Sequence, residues 1–254
     1  MVRSELRLDG GHLRLILDQP KGNIISLALM RDLLRALEPV RRSPGIKLVT
    51  VEGAGDHFSY GASVDEHRPD VIHQALPELH GVIRALLAVP APTAAIVRGR
   101  CLGGGFEIAL ACDLLFASTT SVLGVPEIAL GVFPPAAAAL LPLRVGASRA
   151  ASVVLTGEAR PVDRWAEAGL VEFTLPPQEL DAAVDRWFQT HLAPRSAAAL
   201  RCAALASRVA LTRQVNAVLP ELERFYLDTL MRTHDAVEGI SAFLEKRPPV
   251  WSHS

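Results

Sequence analysis

The sequence predicts a mixed α/β core followed by a helical tail. Three observations lead there. Val97–Asp113, VRGRCLGGGFEIALACD, reads as strand, glycine turn and helix. Short apolar runs of strand length (Lys47–Val51, Ala94–Val97 and Leu114–Ala117) alternate with stretches of helical period. From Gln178 onward every pattern is helical, and the composition shifts near Pro194. This divides the chain into a core over residues 1–194 and a helical C-terminal region over 195–254.

Bulk properties narrow the function classes. With 254 residues, half of them hydrophobic, the chain can bury a substantial core. A net charge of −1 gives no broad basic surface for nucleic acid. No charge-free apolar run is long enough to span a bilayer, and MVRSELRLDGGHLRLILD contains no secretory apolar segment. Cys101, Cys112 and Cys202 form an odd set in apolar contexts without CxxC spacing, which predicts reduced, buried thiols and a cytoplasmic protein.

The elements follow in order. Leu6–Asp18 alternates, with a turn at Asp9-Gly10-Gly11, and predicts one or two strands. Ser26 is placed to cap a helix reaching about Val40, with Ile25, Leu29, Leu33 and Leu37 spaced for one face. After the strand at Lys47–Val51, the small-residue segment His57–Asp65 is suited to facing a ligand with its backbone. Its serines lie outside any GxSxG elbow, so a structural role is favoured over a nucleophile. A helix over Ile72–Leu87 precedes the central stretch. Beyond Leu114–Ala117, helices are expected over Ala136–Leu143, Arg149–Thr156 and Val162–Ala168, then a short strand at Val171–Leu175. The tail predicts helices at Leu180–His191, Arg195–Leu205, Thr212–Thr229 and Asp235–Glu245.

Two features carry chemistry. Gly103-Gly104-Gly105 opens a helix, where unpaired amides with partial positive charge can hold a developing oxyanion. Glu107 follows among apolar neighbours, and Glu127 stands twenty residues later in a similar setting. Buried together, two carboxylates split their pKa values and divide the acid and base roles. The alternative is a tight turn with one glutamate favouring the helix dipole and the other on the surface. Histidines show no HxxxH or HExxH spacing, and no GxGxxG or GxxxxGK[ST] cradle is present, so neither a metal nor a nucleotide cofactor is expected.

Taken together, QPKGNIISLALM, FSYGASVDE, RGRCLGGGFEIALACD, PEIALGVFP and DAVEGISAFLEKRPP resemble the enoyl-CoA hydratase/isomerase (crotonase) superfamily over nearly the whole chain. The resemblance implies a spiral of strand-strand-helix turns with a helical trimerisation tail, and a homotrimer or hexamer. It implies an oxyanion hole from the amides of Ala62 and Gly104, with Glu107 and Glu127 as catalytic acid and base sharing the reacting water. It places Tyr60, Ser63, Val64, Gly103, Phe133 and Lys246 near the acyl-CoA substrate, although Lys246 also fits a solvated helix end. The implied activity is addition of water to an enoyl-CoA thioester, with coenzyme A carried by the substrate and no separate cofactor. FSYGASVDEH with GVFPPAA looks similar to the cyclohexa-1,5-dienecarbonyl-CoA hydratase branch, and a pocket walled by Phe133, Leu140 and Leu141 would suit a ring. The sequence departs from the family at Ser63, where an acid is common, and at Pro134-Pro135, where Pro135 removes a backbone donor. A double-bond isomerase, an acyl-thioester hydrolase or decarboxylase, and a non-catalytic acyl-CoA binder stay open as alternatives.

Overall fold

The computed structural model describes residues 1–254. The chain opens with a hairpin of β1 (Val2–Arg7) and β2 (His12–Leu17), whose turn holds Leu8, Asp9 and Gly10 at positive φ. Ser26 then caps α1 (Leu27–Leu37), its Oγ accepting from Leu29 N at 3.3 Å. The helix stops short of Val40 because Pro39 has no N–H to continue the ladder; a 3₁₀ turn, Glu38–Arg42, follows.

Next come β3 (Leu48–Gly53), α2 (Ile72–Ala88), β4 (Thr93–Val97), β5 (Arg100–Leu102), α3 (Gly104–Leu110), β6 (Leu114–Ser118), β7 (Val122–Gly124), α4 (Pro135–Val145) and α5 (Ala147–Thr156). The two-residue β8 (Arg160–Pro161), α6 (Val162–Ala166) and β9 (Phe173–Leu175) complete the mixed part. The main sheet runs β1-β2-β3-β4-β6-β9, with only β1 antiparallel to its neighbour. A smaller sheet runs β5-β7-β8.

The expected spiral is present. Each turn sends one strand to the main sheet, one extended segment to the smaller layer, and then a helix. β4-β5-α3 and β6-β7-α4 are the full turns. Earlier turns use single bridges for the second strand: Ser59 pairs with Cys101, and Ile25 pairs with Ala62. β3 and β4 are buried along their whole length, as covered parallel strands are, but one face of β3 carries Thr50 and Glu52, which pair with His12 and Arg14 of β2. β5, β7 and β8 escape sequence detection because two or three residues cannot display a period.

The tail is α7 (Leu180–His191), α8 (Ala197–Ser207), α9 (Val209–Arg224) and α10 (His234–Leu244). The predicted continuous helix over Thr212–Thr229 instead ends in a π-helical turn, Phe225–Thr229, with Leu230 N donating to Phe225 O. α9 packs against α2 and α4, and Leu211, Val215 and Leu219 enter the main core. At its head Arg208 is almost fully buried. Its Nε donates to Asp113 Oδ1 at 2.6 Å, and its guanidinium also donates to the carbonyls of Val89 and Ala91, each at 2.6 Å. Cys101 and Cys112 are buried, and burial pushes the Cys112 thiol up to about 12. Cys202 is exposed, contrary to expectation: it lies on α8, where few side chains reach the core.

Candidate active site

The Gly103 turn joins β5 to α3 with φ 50° and ψ −130°, a combination that favours glycine. The next two glycines serve close approach instead. A Cβ on Gly105 would lie 2.5 Å from Ser59 Cβ, and one on Gly104 would lie 3.3 Å from Ala62 Cβ and 3.5 Å from Ala62 N. The Ala62 and Gly104 backbones are therefore neighbours, and neither amide donates to a protein acceptor. Ala62 is fixed from both sides: Ile25 N donates to Gly61 O at 2.9 Å, and Ser63 N donates to Ile25 O at 3.1 Å. Ser59 braces the loop below, its Oγ donating to Asn23 O at 2.7 Å and accepting from Gly61 N at 3.0 Å.

Glu107 lies inside α3 and is buried. Its Oε1 accepts from Ala137 N at 2.8 Å, so the carboxylate sits at the N-terminus of α4 rather than serving the dipole of its own helix. Pro135 occupies the first position of α4, where a missing N–H costs no helix bond, and the amides that follow it turn toward Glu107. Burial raises the Glu107 pKa, while the Ala137 amide, His80 and the Ala136 amide pull it back.

Glu127 stands in a 3₁₀ turn, Pro126–Leu130. Its carboxyl lies over Gly103, with Oε1 2.7 Å from where a Cβ there would stand, and its Oε2 is buried without a partner. Burial pushes its pKa well above the usual carboxylate range, and the charge of Glu107 pushes it further. The pair is therefore asymmetric: Glu107 is the better supported anion, and Glu127 the better proton holder.

Gly103→Ala tests this contact. The added methyl meets the Glu127 carboxyl, which must yield, and at φ 50° it also strains the turn, so some loss of stability accompanies the shift. A displacement near 1 Å is expected to lower turnover by roughly 10²-fold. Steady-state kinetics beside a circular dichroism spectrum will check it.

The other predicted residues are spread around this centre. Tyr60 is partly exposed, its ring covers Gly22, and its Oη pairs with His57 Nε2 at 3.1 Å. Ser63 and Val64 open a 3₁₀ turn, Val64–His67, against which α10 packs. A small cavity of about 20 Å³ beside Ala62 is lined by Ser63, Ile72, Leu76 and Leu79, among others. Phe133 packs on Phe225 and Tyr226, with centroids 5.8 and 5.5 Å away. Leu140 and Leu141 belong to the main core cluster, whereas Phe133 packs against the separate cluster that holds Tyr226. Lys246 is exposed beyond α10 with φ 57° and forms no ion pair. The helical spacing put Ile25 on the face of α1, but it precedes that helix and bridges to Ala62; Ser59 has the structural role expected of it, through a bridge to Cys101 that no spacing announces, and Tyr226, placed by the π turn, gave no signal. No group of three or more His, Cys, Asp or Glu side chains is arranged to hold a metal ion.

Fold and site bring two unengaged peptide N–H groups close to a pair of buried carboxylates, an arrangement suited to polarising a carbonyl and moving protons beside it. The family model described as enoyl-CoA hydratase/isomerase matches residues 10–254. The chain belongs to that family and is a hydratase-type lyase within it. It is 43% identical over 248 residues to the cyclohexa-1,5-dienecarbonyl-CoA hydratase of Thauera aromatica, covering 98% of this chain and 95% of the relative. It is 33% identical over 240 residues to the 2,3-dehydroadipyl-CoA hydratase of Escherichia coli K12, covering 93% of each. A crystal structure of an enoyl-CoA hydratase from Mycobacterium avium subsp. paratuberculosis K-10 superposes with a TM-score of 0.87 at 29% identity, over 99% of this chain and 98% of that one.

Proposed function

We propose that this protein adds water to a conjugated cyclic dienoyl-CoA thioester, and removes it in reverse. The observation that carries the reading is the pairing of two unengaged amides, Ala62 and Gly104, with an asymmetric buried carboxylate pair. The amides draw electrons toward the thioester oxygen, which makes the conjugated carbon electrophilic and stabilises the enolate formed on attack. Glu107, ionised, orients water and takes its proton as the C–O bond forms. Glu127, protonated, delivers a proton to carbon as the enolate collapses, and the Glu107 proton restores the pair. Water supplies all the atoms added, so no cofactor beyond substrate-borne coenzyme A is required. The likeness to the Thauera aromatica enzyme supports a ring in the acyl group.

Tyr60, Ser63 and Val64 flank Ala62 in the chain and are read as contacts to the coenzyme, and the exposed Lys246 as a partner for its phosphates. The apolar side chains exposed along the tail, among them Phe225, Phe243 and Leu244, support a homotrimer or hexamer. No helix is long and apolar enough to cross a membrane, which fits a cytoplasmic site of action.

The test is a panel of thioesters from crotonyl-CoA to cyclohexa-1,5-dienecarbonyl-CoA, followed by loss of conjugated absorbance. Turnover of the cyclic diene with little or none on crotonyl-CoA is the expected result. The reverse order would remove the ring assignment, and no absorbance loss on any member would overturn hydration.

A further inference from the structure

Tyr226 is among the largest fully buried side chains of the protein, yet its hydroxyl bonds to no protein atom. A phenol buried for packing alone gains nothing from that oxygen, because an unpartnered buried hydroxyl is a cost that phenylalanine avoids. The ring is placed by the π-helical turn Phe225–Thr229, a local widening of α9 that re-aims its side chains. It stacks edge-on against Phe133 and shares a cluster with Leu130 and Val132. These neighbours continue the turn that carries Glu127, and Val132 N donates back to Glu127 O at 3.3 Å. The Glu127 carboxyl has the second open polar atom of this region, Oε2.

We propose that Tyr226 is a further residue of the reacting site, its phenol O–H donating a hydrogen bond to the oxygen that water contributes, first as water and then as the product hydroxyl. This rests on the hydratase reading above. Burial, then the charges of Glu127 and Glu107, hold the phenol pKa above its ordinary value, so the group stays a proton donor throughout the working pH range. No proton leaves Tyr226 in the cycle: Glu107 and Glu127 carry the transfers, and the phenol fixes the oxygen between them. This explains why a polar tip is retained in an apolar cluster and why the helix departs from α geometry at that turn.

The experiment is Tyr226→Phe, which keeps the ring and its contact with Phe133. Turnover of the preferred enoyl thioester is expected to fall 10- to 100-fold, with KM for that thioester changed less than 3-fold. Binding is read independently of catalysis with hydroxycyclohexenecarbonyl-CoA and cyclohexenecarbonyl-CoA, which differ by one hydroxyl. The variant should lose affinity for the first by about 5- to 20-fold and bind the second as the wild type does. Equal affinities for both ligands in variant and wild type, with turnover unchanged, would overturn the proposal. A uniform loss for both would assign Tyr226 to packing alone and overturn it equally. If the wild type hydrates nothing in the panel, the functional reading fails by itself, while the paired binding measurement still decides the role of Tyr226. Thermal melting keeps the arms separate: removing an unpartnered hydroxyl should leave Tm equal or higher, and if Tyr226→Phe fails to fold, incorporation of a fluorotyrosine at 226 shifts the same affinity ratio without altering shape.

Discussion

Glu107→Gln is expected to lower hydration by roughly 10²–10⁴-fold, the usual range for removing a positioned acid or base. The amide keeps the size of the side chain and an oxygen for the Ala137 N–H, so the fold should persist. Glu127→Gln should cost a similar factor, and the double variant should fall little below either single one, because the two groups act as a unit. A double-bond isomerase on this scaffold needs only one carboxylate, so near-normal turnover in Glu107→Gln would favour that chemistry instead. The same variants predict a stability effect. Glu127 binds its proton more tightly in the folded chain than in the unfolded one, where its pKa lies near the ordinary glutamate value of 4.5. Its burial is therefore harmless below that pH and increasingly unfavourable as pH rises toward the folded value. Glu127→Gln should melt higher than wild type at pH 8 by a few degrees, at roughly 2–4 °C per kcal/mol for a chain of this size, and should show no gain at pH 4. An opposite pH trend in paired melting curves would show that the carboxyl is not penalised by burial.

Arg208→Met should be the most damaging substitution away from the site. The arginine joins the start of α9 to Asp113, which itself accepts from Thr93 N at 2.8 Å at the start of β4. It also satisfies the carbonyls that close α2, including Val89 O and Ala91 O. Methionine fills much of the volume but leaves the partly buried Asp113 carboxylate without its counter-ion and several carbonyls without a donor. Breaking a buried pair from one side costs about 3–5 kcal/mol. Denaturant titration of Arg208→Met alone and with Asp113→Asn will check this: the second change removes the stranded charge and should recover part of the loss. Additive losses would mean that the two residues are not coupled.

The long elements were legible because their periods are long enough to register. α7 spans the predicted Leu180–His191, and α2 runs one residue past the predicted Leu87. Glu107 and Glu127 were legible as carboxylates in apolar settings, and the glycine run as a helix start. What a linear reading could not give is which atoms face each other. That Ala62 lies beside Gly104 depends on the bridge to Ile25, and that Glu107 is served by Ala137 depends on α4 meeting α3 thirty residues later. That Leu140 and Leu141 enter the main core while Phe133 joins the Tyr226 cluster was out of reach for the same reason: hydrophobicity says that a side chain is inside, not which inside. Tyr226 left no trace, since a π turn has no distinct spacing at this length.

The clamp on Ala62 has a consequence for ligands. With Gly61 O and Ser63 N both held by Ile25, the intervening peptide cannot swivel to meet an incoming group. Molecules that arrive already flat through the C=O unit will therefore dock without delay, whereas floppy ones must surrender their own freedom. Inhibitors locked in that planar shape should outperform flexible analogues of equal size, mainly through slower departure.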